Sequence, residues 1–215
     1  IGYGIATCLA RQGASIVIAD VNAKAARASA KQLAAETGVK TLGVGCDITE
    51  RTQVAAVVRQ TVKKFGQIDI LVNNAGICPF VDIMEMSEAM FKRTMDVNLN
   101  GAFHCTQLVA AEMIKRGKGG RIIFITSLAV NVTSAQQGDY AASKAGLHML
   151  MKSFAIALGP KGITCNGVAP GMILTDLTRF HWEKPEPAAF IKTRVPVGRI
   201  GTPEDIGRAV TLLCA

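Results

Sequence analysis

The sequence predicts a single α/β domain, spanning residues 1–215, in which helices cover both faces of a doubly wound parallel sheet. Short apolar runs alternate with longer segments that carry apolar residues at helical spacing, and no repeat or low-complexity linker interrupts them. Such alternation is typical of parallel strands joined by right-handed helical crossovers. Hydrophobic residues make up 49% of the chain but aromatic residues only 5%, as expected for aliphatic strands buried under helices. The length of 215 residues suffices for one sizeable core.

The individual elements follow from this pattern in order. Strands are predicted where apolar runs end at polar residues or glycine, at residues 15–20, 40–46, 68–74, 121–127 and 163–168. Helices are predicted between and after them, at residues 4–12, 23–37, 51–65, 88–115, 140–158 and 203–214. The helix at 140–158 carries an apolar stripe at helical spacing that includes Leu147, Met151, Phe154 and Leu158.

Composition and charge exclude several classes of protein. The apolar runs are too short to cross a bilayer, so no membrane span is predicted. Six cysteines stand singly, without the close Cys or His pairs of zinc sites, which argues against a metal and against disulfides and fits a reducing cytoplasm. The net charge is +8, but Lys and Arg are dispersed and no aromatic residues interleave with them, which argues against nucleic acid.

Polar residues mark the edge of the sheet where a ligand would bind. In doubly wound sheets, ligands lie beyond the carboxyl ends of the strands. Five residues stand at or just past such predicted ends: Asp20, Asp47, Asn73, Ser127 and Pro170. We therefore expect the functional site along this edge.

Ser127, Tyr140 and Lys144 are the candidate catalytic residues. Tyr140 and Lys144 are four positions apart, so on a helix their side chains share one face. An ammonium near a phenol stabilises the phenolate and should pull the pKa of Tyr140 down from about 10, which would let it exchange a proton with an alcohol. Taken alone, the three residues could equally be a surface Tyr–Lys pair and an ordinary serine at a strand end.

Further motifs accompany these three residues in a fixed order. They are Gly2-Tyr3-Gly4, Asp20 at a strand end, Cys46-Asp47-Ile48, Asn73-Asn74-Ala75-Gly76, Asn98-Leu99-Asn100-Gly101, Asn166-Gly167-Val168-Ala169-Pro170-Gly171 and Gly198-Arg199-Ile200-Gly201-Thr202-Pro203-Glu204-Asp205. Together they resemble the short-chain dehydrogenase/reductase family over the whole chain. The resemblance implies a Rossmann-like fold. The family's first strand, two early glycines and last strand have no counterpart here, so we expect the chain to be an internal piece of a longer protein, truncated at both ends.

The resemblance implies a role for each catalytic residue. Tyr140 would be the acid/base, and Lys144 would lower its pKa and bind the nicotinamide ribose. Ser127 would polarise the substrate oxygen, and Asn98 would hold a water that links Lys144 to solvent. The alternative for Asn98 is an amide that satisfies backbone groups at a helix kink.

The resemblance also implies a dinucleotide site. Its predicted residues, besides Tyr140 and Lys144, are Ile1, Gly2, Asp20, Asp47, Ile48, Asn74, Ala75, Gly76, Pro170, Gly171, Ile173 and Thr175. The carboxylate of Asp20 would bind ribose hydroxyls and repel a 2′-phosphate, and no Lys or Arg stands at 19, 21 or 22, so we expect NAD rather than NADP. As alternatives, Asp20 and Asp47 could each only cap the helix that follows, and Pro170-Gly171 could be only a turn.

The substrate is predicted from the two segments expected to wall the pocket. Residues 128–139 are rich in amides and hydroxyls (Asn131, Thr133, Ser134, Gln136 and Gln137), and the loop at about 176–199 adds Arg179, His181, Trp182 and Arg194. These groups favour a sugar, sugar acid or polyol. The alternatives are reduction of a 3-oxoacyl thioester, or a domain that binds a dinucleotide without catalysis. The resemblance implies a homodimer or homotetramer built through the helices at 88–115 and 140–158.

Overall fold

The computed structural model describes residues 1–178, 191 and 193–215. Within them lie five strands: β1 (Ile16–Asp20), β2 (Thr41–Gly45), β3 (Ile70–Asn73), β4 (Gly120–Ile125) and β5 (Ile163–Val168). The α-helices are α1 (Gly2–Arg11), α2 (Ala23–Thr37), α3 (Arg51–Phe65), α4 (Glu88–Met95), α5 (Gly101–Arg116), α6 (Gly138–Leu158) and α7 (Pro203–Cys214). Each predicted strand is present, and each predicted helix is present except that the one at 88–115 is divided in two; the ends differ from the prediction by a few residues.

All strand pairs in the described residues are parallel. β1 pairs with β2, and β4 lies between β3 and β5 in a three-stranded sheet. No hydrogen bonds join β1 to β3 in this part of the chain, so the two groups of strands form separate hydrogen-bonded sheets. The carboxyl ends of β3, β4 and β5 lie side by side in register, because Asn73 pairs with Phe124 and Phe124 pairs with Gly167.

The central strand β4 shows that helices cover both faces of the sheet. Ile122 and Phe124 belong to a core cluster with residues of α3, α5 and α6, whereas Ile123 and Ile125 belong to a cluster with residues of α1, α2 and α7. Successive side chains of a strand point to opposite faces, so β4 is buried from both sides. The second cluster also takes in residues of β1 and β3, and therefore joins the two sheets through one core. The predicted doubly wound architecture is confirmed.

The segment predicted as one helix at 88–115 is interrupted. A π-helical turn, Asp96–Asn100, separates α4 from α5. Such turns replace the regular i to i−4 hydrogen bonds and often occur at functional sites. The sequence pattern could not reveal it, because its apolar spacing remains helical on both sides.

Part of the predicted substrate wall falls outside the described residues. This applies to Arg179, His181 and Trp182, whereas Arg194 is described. No helix in the described part of the chain is long and apolar enough to cross a membrane.

Candidate active site

Ser127 lies just beyond the carboxyl end of β4. Its hydroxyl oxygen accepts a hydrogen bond from the Ala129 backbone at 3.1 Å and so caps a short 3₁₀ turn, Leu128–Val130. The Leu128 backbone N–H donates to the Pro170 carbonyl at 2.9 Å. The loops after β4 and β5 are thereby tied together, as expected for residues at one edge of a parallel sheet.

Tyr140 and Lys144 lie on one face of α6 and meet Ser127, as predicted. The Ser127 side chain lies beside the Tyr140 phenol, close enough to favour its ionised form. The Lys144 ammonium lies 5.6 Å from the centroid of the Tyr140 ring and donates to the Ile125 carbonyl at 2.9 Å. Lys144 is only 3% exposed, so its ammonium is a buried charge. Ile125, the last residue of β4, holds this ammonium close to the phenol.

The expected drop in the pKa of Tyr140 is wrong for this structure. Burial raises the pKa of the Tyr140 phenol above 10.0, and the Ser127 side chain opposes this only in part. Burial also lowers the pKa of Lys144, from 10.5 to about 8. The reason is that both groups leave water, which disfavours the phenolate and the ammonium alike. Tyr140 is therefore set up as a neutral phenol that holds its proton.

Asn98 is fully buried in the π-helical turn and bonds to the loop after β3. Its side-chain oxygen accepts from the Ile77 backbone at 2.8 Å, and its amide donates to the Ile77 carbonyl at 2.9 Å. The alternative that Asn98 satisfies backbone groups at a helix kink is thus confirmed. The water that it is predicted to hold remains a prediction.

Gly76 lies next to the side chains of both Asn98 and Lys144. A Cβ atom at this position would lie 3.3 Å from the Lys144 ammonium and 3.3 Å from the Asn98 side-chain oxygen. Gly76 and its neighbour Ala75 are exposed, whereas Asn74 is half-buried. The absence of a side chain at Gly76 lets the loop approach the ammonium closely.

The amino end of α1 suits a pyrophosphate. Gly2 and Gly4 lie in the first turn of this helix, where backbone N–H groups have no partner within the helix and can bind an anion. A Cβ atom at Gly2 would lie 2.7 Å from the Asn74 side-chain nitrogen. These two predicted residues therefore lie together, and a side chain at position 2 would require Asn74 to shift.

Asp20 ends β1 as an exposed carboxylate. One of its oxygens accepts from the Asn22 backbone at 2.8 Å, while the Asn22 side chain accepts from Ala25 at 3.0 Å and caps α2. The alternative that Asp20 only caps the following helix is wrong, because Asn22 does so. An exposed carboxylate at the carboxyl end of a strand fits the ribose hydroxyls of a dinucleotide.

Asp47 and Ile48 lie in the turn between β2 and α3. One oxygen of Asp47 accepts from the backbone and the hydroxyl of Thr49, and the other faces Arg93 of α4 at 3.4 Å. The Thr49 bonds, ahead of Arg93, hold the pKa of Asp47 below its usual range. Asp47 thus fixes the turn, but Glu50 rather than Asp47 stands at the cap of α3. Ile48 packs on Gly101, where a Cβ atom would lie 2.5 Å from its side chain.

The remaining predicted cofactor residues follow β5. Pro170 is buried and Gly171 is exposed, and the tie from Pro170 to Leu128 shows that this stretch does more than turn the chain. Ile173 is buried and forms a parallel bridge with Gly201, and the hydroxyl of Thr175 lies 3.1 Å from that of Thr178. These residues lie at the same sheet edge as Ser127.

Comparison with known proteins places this geometry in a family. A family model described as enoyl-(acyl carrier protein) reductase matches residues 1–215. An L-rhamnose 1-dehydrogenase (NAD(P)(+)) of Azotobacter vinelandii is 40% identical over 218 residues, which cover 100% of this chain and 85% of that protein. The chain belongs to the short-chain dehydrogenase/reductase family.

Other members of this family are also similar to the chain. A 7alpha-hydroxysteroid dehydrogenase of Escherichia coli K12 is 39% identical over 100% of the chain and 83% of that protein. A gluconate 5-dehydrogenase from Burkholderia cenocepacia, in complex with NADP and tartrate, superposes with a TM-score of 0.92 at 34% identity, covering 99% of this chain and 82% of that one. The chain is therefore a pyridine-nucleotide oxidoreductase that interconverts alcohols and carbonyls.

Two buried contacts near the site were missed by the sequence analysis. Ser143, between Tyr140 and Lys144, accepts a hydrogen bond from the Asn98 amide at 2.9 Å. Asp139 accepts one from Thr94 at 2.6 Å, and its other oxygen has no partner among the described residues. The positions of Asp139 and Ser143 next to Tyr140 and Lys144 on α6 could have drawn attention to them. Their partners lie in another helical segment, which the spacing of residues along the sequence does not reveal.

Proposed function

We propose that the protein is an NAD-dependent dehydrogenase that oxidises a secondary or anomeric hydroxyl of a sugar, sugar acid or polyol to a carbonyl, and catalyses the reverse reaction. The observation that carries the proposal is the meeting of Ser127, Tyr140 and Lys144 at the carboxyl edge of β4. A phenol with a raised pKa, a neighbouring hydroxyl and a buried ammonium are suited to move one proton to or from a substrate oxygen.

Each of the three residues has a separate task. Tyr140 is the acid/base, and the neutral phenol favoured by burial donates its proton to the developing alkoxide during carbonyl reduction. The Ser127 hydroxyl, which lies beside the phenol, fixes the substrate oxygen and stabilises its charge. Lys144 places a positive charge 5.6 Å from the centroid of the phenol ring, where it would stabilise a phenolate in the reverse reaction without cancelling the rise in the pKa of Tyr140 that burial causes. The bound nicotinamide supplies the hydride chemistry.

Asp20 supports NAD as the preferred cofactor. Its carboxylate is exposed at the end of β1, where it accepts hydroxyl groups and repels a phosphate, and no Lys or Arg stands at 19, 21 or 22 to bind that phosphate. The pyrophosphate would lie at the amino end of α1, at Gly2. Asp47 and Ile48 would line the adenine, and Pro170–Thr175 the nicotinamide.

The polar wall after Ser127 supports a polyhydroxylated substrate. Asn131, Thr133, Ser134 and Gln136 are exposed in this segment, and Gln137 is half-buried. Amides and hydroxyls that line a pocket favour substrates with hydroxyls to pair with them, because a buried polar group left unpaired is costly. The names of the rhamnose and gluconate relatives agree with this class, whereas the steroid dehydrogenase is a relative with an apolar substrate.

A substrate panel tests the proposal. Formation of NADH at 340 nm is followed with aldoses, sugar acids and polyols, beside a hydroxysteroid and, in the reductive direction, a 3-oxoacyl thioester. We expect the highest kcat/KM with a member of the first three groups. A higher value with the steroid or the thioester overturns the substrate class, and no turnover with any of them while NAD binds favours a non-catalytic dinucleotide domain.

Exposed apolar residues on α5 and α6 support an oligomer. Phe103 and Ile114 on α5 are 36% and 43% exposed, and Met149 and Ile156 on α6 are 59% and 80% exposed. A second subunit would remove this surface from water. Light scattering should give a mass of two or four chains, and a monomer contradicts this part of the proposal. The six free thiols support a reducing, cytoplasmic location.

A further inference from the structure

Ser143 lies between Tyr140 and Lys144 on α6 and is fully buried. Its hydroxyl donates to the Tyr140 carbonyl at 2.7 Å and accepts from the Asn98 amide at 2.9 Å. A helical serine often makes only the first kind of bond, from its hydroxyl to a backbone carbonyl of the preceding turn. The second bond crosses to the π-helical turn, and so connects the helix of the acid/base to a different element.

Asn98 has no spare hydrogen-bond donor. Its two amide hydrogens go to the Ile77 carbonyl and to Ser143, and its oxygen accepts from the Ile77 backbone. Ile77 directly follows Gly76, whose backbone approaches Lys144 so closely that a Cβ atom there would lie 3.3 Å from the ammonium. A continuous set of contacts therefore runs from Ser143 through Asn98 to the loop that borders Lys144.

We propose that Ser143 is a positioning residue that fixes the loop at Gly76–Ile77 against Lys144 by holding the side-chain amide of Asn98. This inference rests on the proposed function, because its kinetic consequence concerns Tyr140 and Lys144. Without the Ser143 hydroxyl, a buried N–H of Asn98 loses its acceptor, which is unfavourable in a site away from water. The amide then turns toward another acceptor and releases Ile77.

The chain offers a matched control on the same helix. Ser153 also donates to a carbonyl one turn back, that of Met149 at 3.3 Å, but it is exposed. Ser143→Ala and Ser153→Ala each remove one hydroxyl from α6. Only Ser143→Ala also removes the acceptor of the hydrogen bond from Asn98.

Two measurements on both variants test the proposal. In Ser143→Ala we expect kcat to fall about tenfold or more with little change in the KM for the substrate, because a misplaced catalytic group slows the chemical step. Deuterium exchange, followed by mass spectrometry, should accelerate in a peptide that covers Ile77, and stay unchanged in a peptide that covers β4. Ser153→Ala should match the wild-type protein in both measurements.

Either measurement can overturn the proposal. An unchanged kcat in Ser143→Ala shows that the hydroxyl does not position the catalytic groups. A lower kcat with unchanged exchange at Ile77 shows that Ser143 acts on α6 alone and not through Asn98. The exchange measurement needs no substrate, so it tests the contact of Ser143 with Asn98 even in a protein without dehydrogenase activity. Absence of that activity would refute the proposed function alone.

Discussion

Replacing Lys144 by methionine should change the pH dependence of stability in a predictable direction. Burial lowers the pKa of Lys144 from 10.5 to about 8 in the folded protein. Between these two values the unfolded chain keeps a proton that the folded protein has released. Stability therefore rises with pH in this window, and Lys144→Met removes the contribution.

The magnitude follows from the shift. One pKa unit corresponds to about 1.4 kcal/mol, so between pH 7 and pH 9.5 the wild-type protein should gain about 2 kcal/mol of unfolding free energy relative to Lys144→Met. The variant also loses the bond to the Ile125 carbonyl, which adds a nearly constant offset at all pH values. The change of the difference with pH, rather than its value at one pH, is therefore the informative quantity.

Urea denaturation of both proteins at half-unit steps from pH 7 to pH 9.5 measures this change. Lys152→Met is the control, because Lys152 is an exposed lysine two turns further along α6. Its stability should follow that of the wild-type protein at every pH. The unfolding free energy of wild type minus that of Lys144→Met should rise across this pH range, whatever its value at pH 7. A value that stays constant or falls as pH rises would refute the argument that burial lowers the pKa of Lys144.

Three further substitutions test the site and its support. Tyr140→Phe should lower kcat by about a thousandfold while NAD still binds, since only the ionisable oxygen is lost, and near-normal kcat would remove Tyr140 from the mechanism. Asp20→Ala should lower kcat/KM for NAD by about tenfold and raise the ratio of NADP to NAD use, and an unchanged ratio would show that this carboxylate does not select the cofactor. Thr94→Val should cost about 2 kcal/mol of unfolding free energy, because Asp139 loses a buried donor. Thr61→Val is the control and should cost less, because the Thr61 hydroxyl bonds within α3. Equal losses would contradict a special role for the Thr94 contact.

The strands and the placement of Tyr140 and Lys144 on one face of a helix could be predicted because both depend on local sequence. Apolar runs that end at Asp20 and Asn73 mark strand ends, and the spacing of Tyr140 and Lys144 on a helix fixes their common face. The split between the two sheets and the π-helical turn at Asn98 could not be predicted, since each depends on contacts between distant segments. The predicted lowering of the pKa of Tyr140 was wrong for the same reason, because burial depends on packing between distant segments.

That failure follows from how the fold builds the site. A cation beside a phenol lowers its pKa only when the gain in attraction exceeds the cost of removing both groups from water. Here α6 packs its inner face on β4 and β5, and the same packing that places Tyr140 beside Ser127 also buries Lys144 to 3% exposure.

Around this charge the fold places further buried polar groups: Thr94, Asn98, Asp139 and Ser143 are each fully buried. Buried polar groups of this kind are tolerated when they are paired. The hydrogen bonds from Thr94 to Asp139 and from Asn98 to Ser143 supply part of that pairing, and both connect the α4–α5 segment to α6. The π-helical turn, which a regular helix at 88–115 would lack, carries Asn98 of the second bond. The irregularity in the helix therefore carries one of the two buried hydrogen bonds that join this segment to α6, and the proposed role of Ser143 depends on that bond.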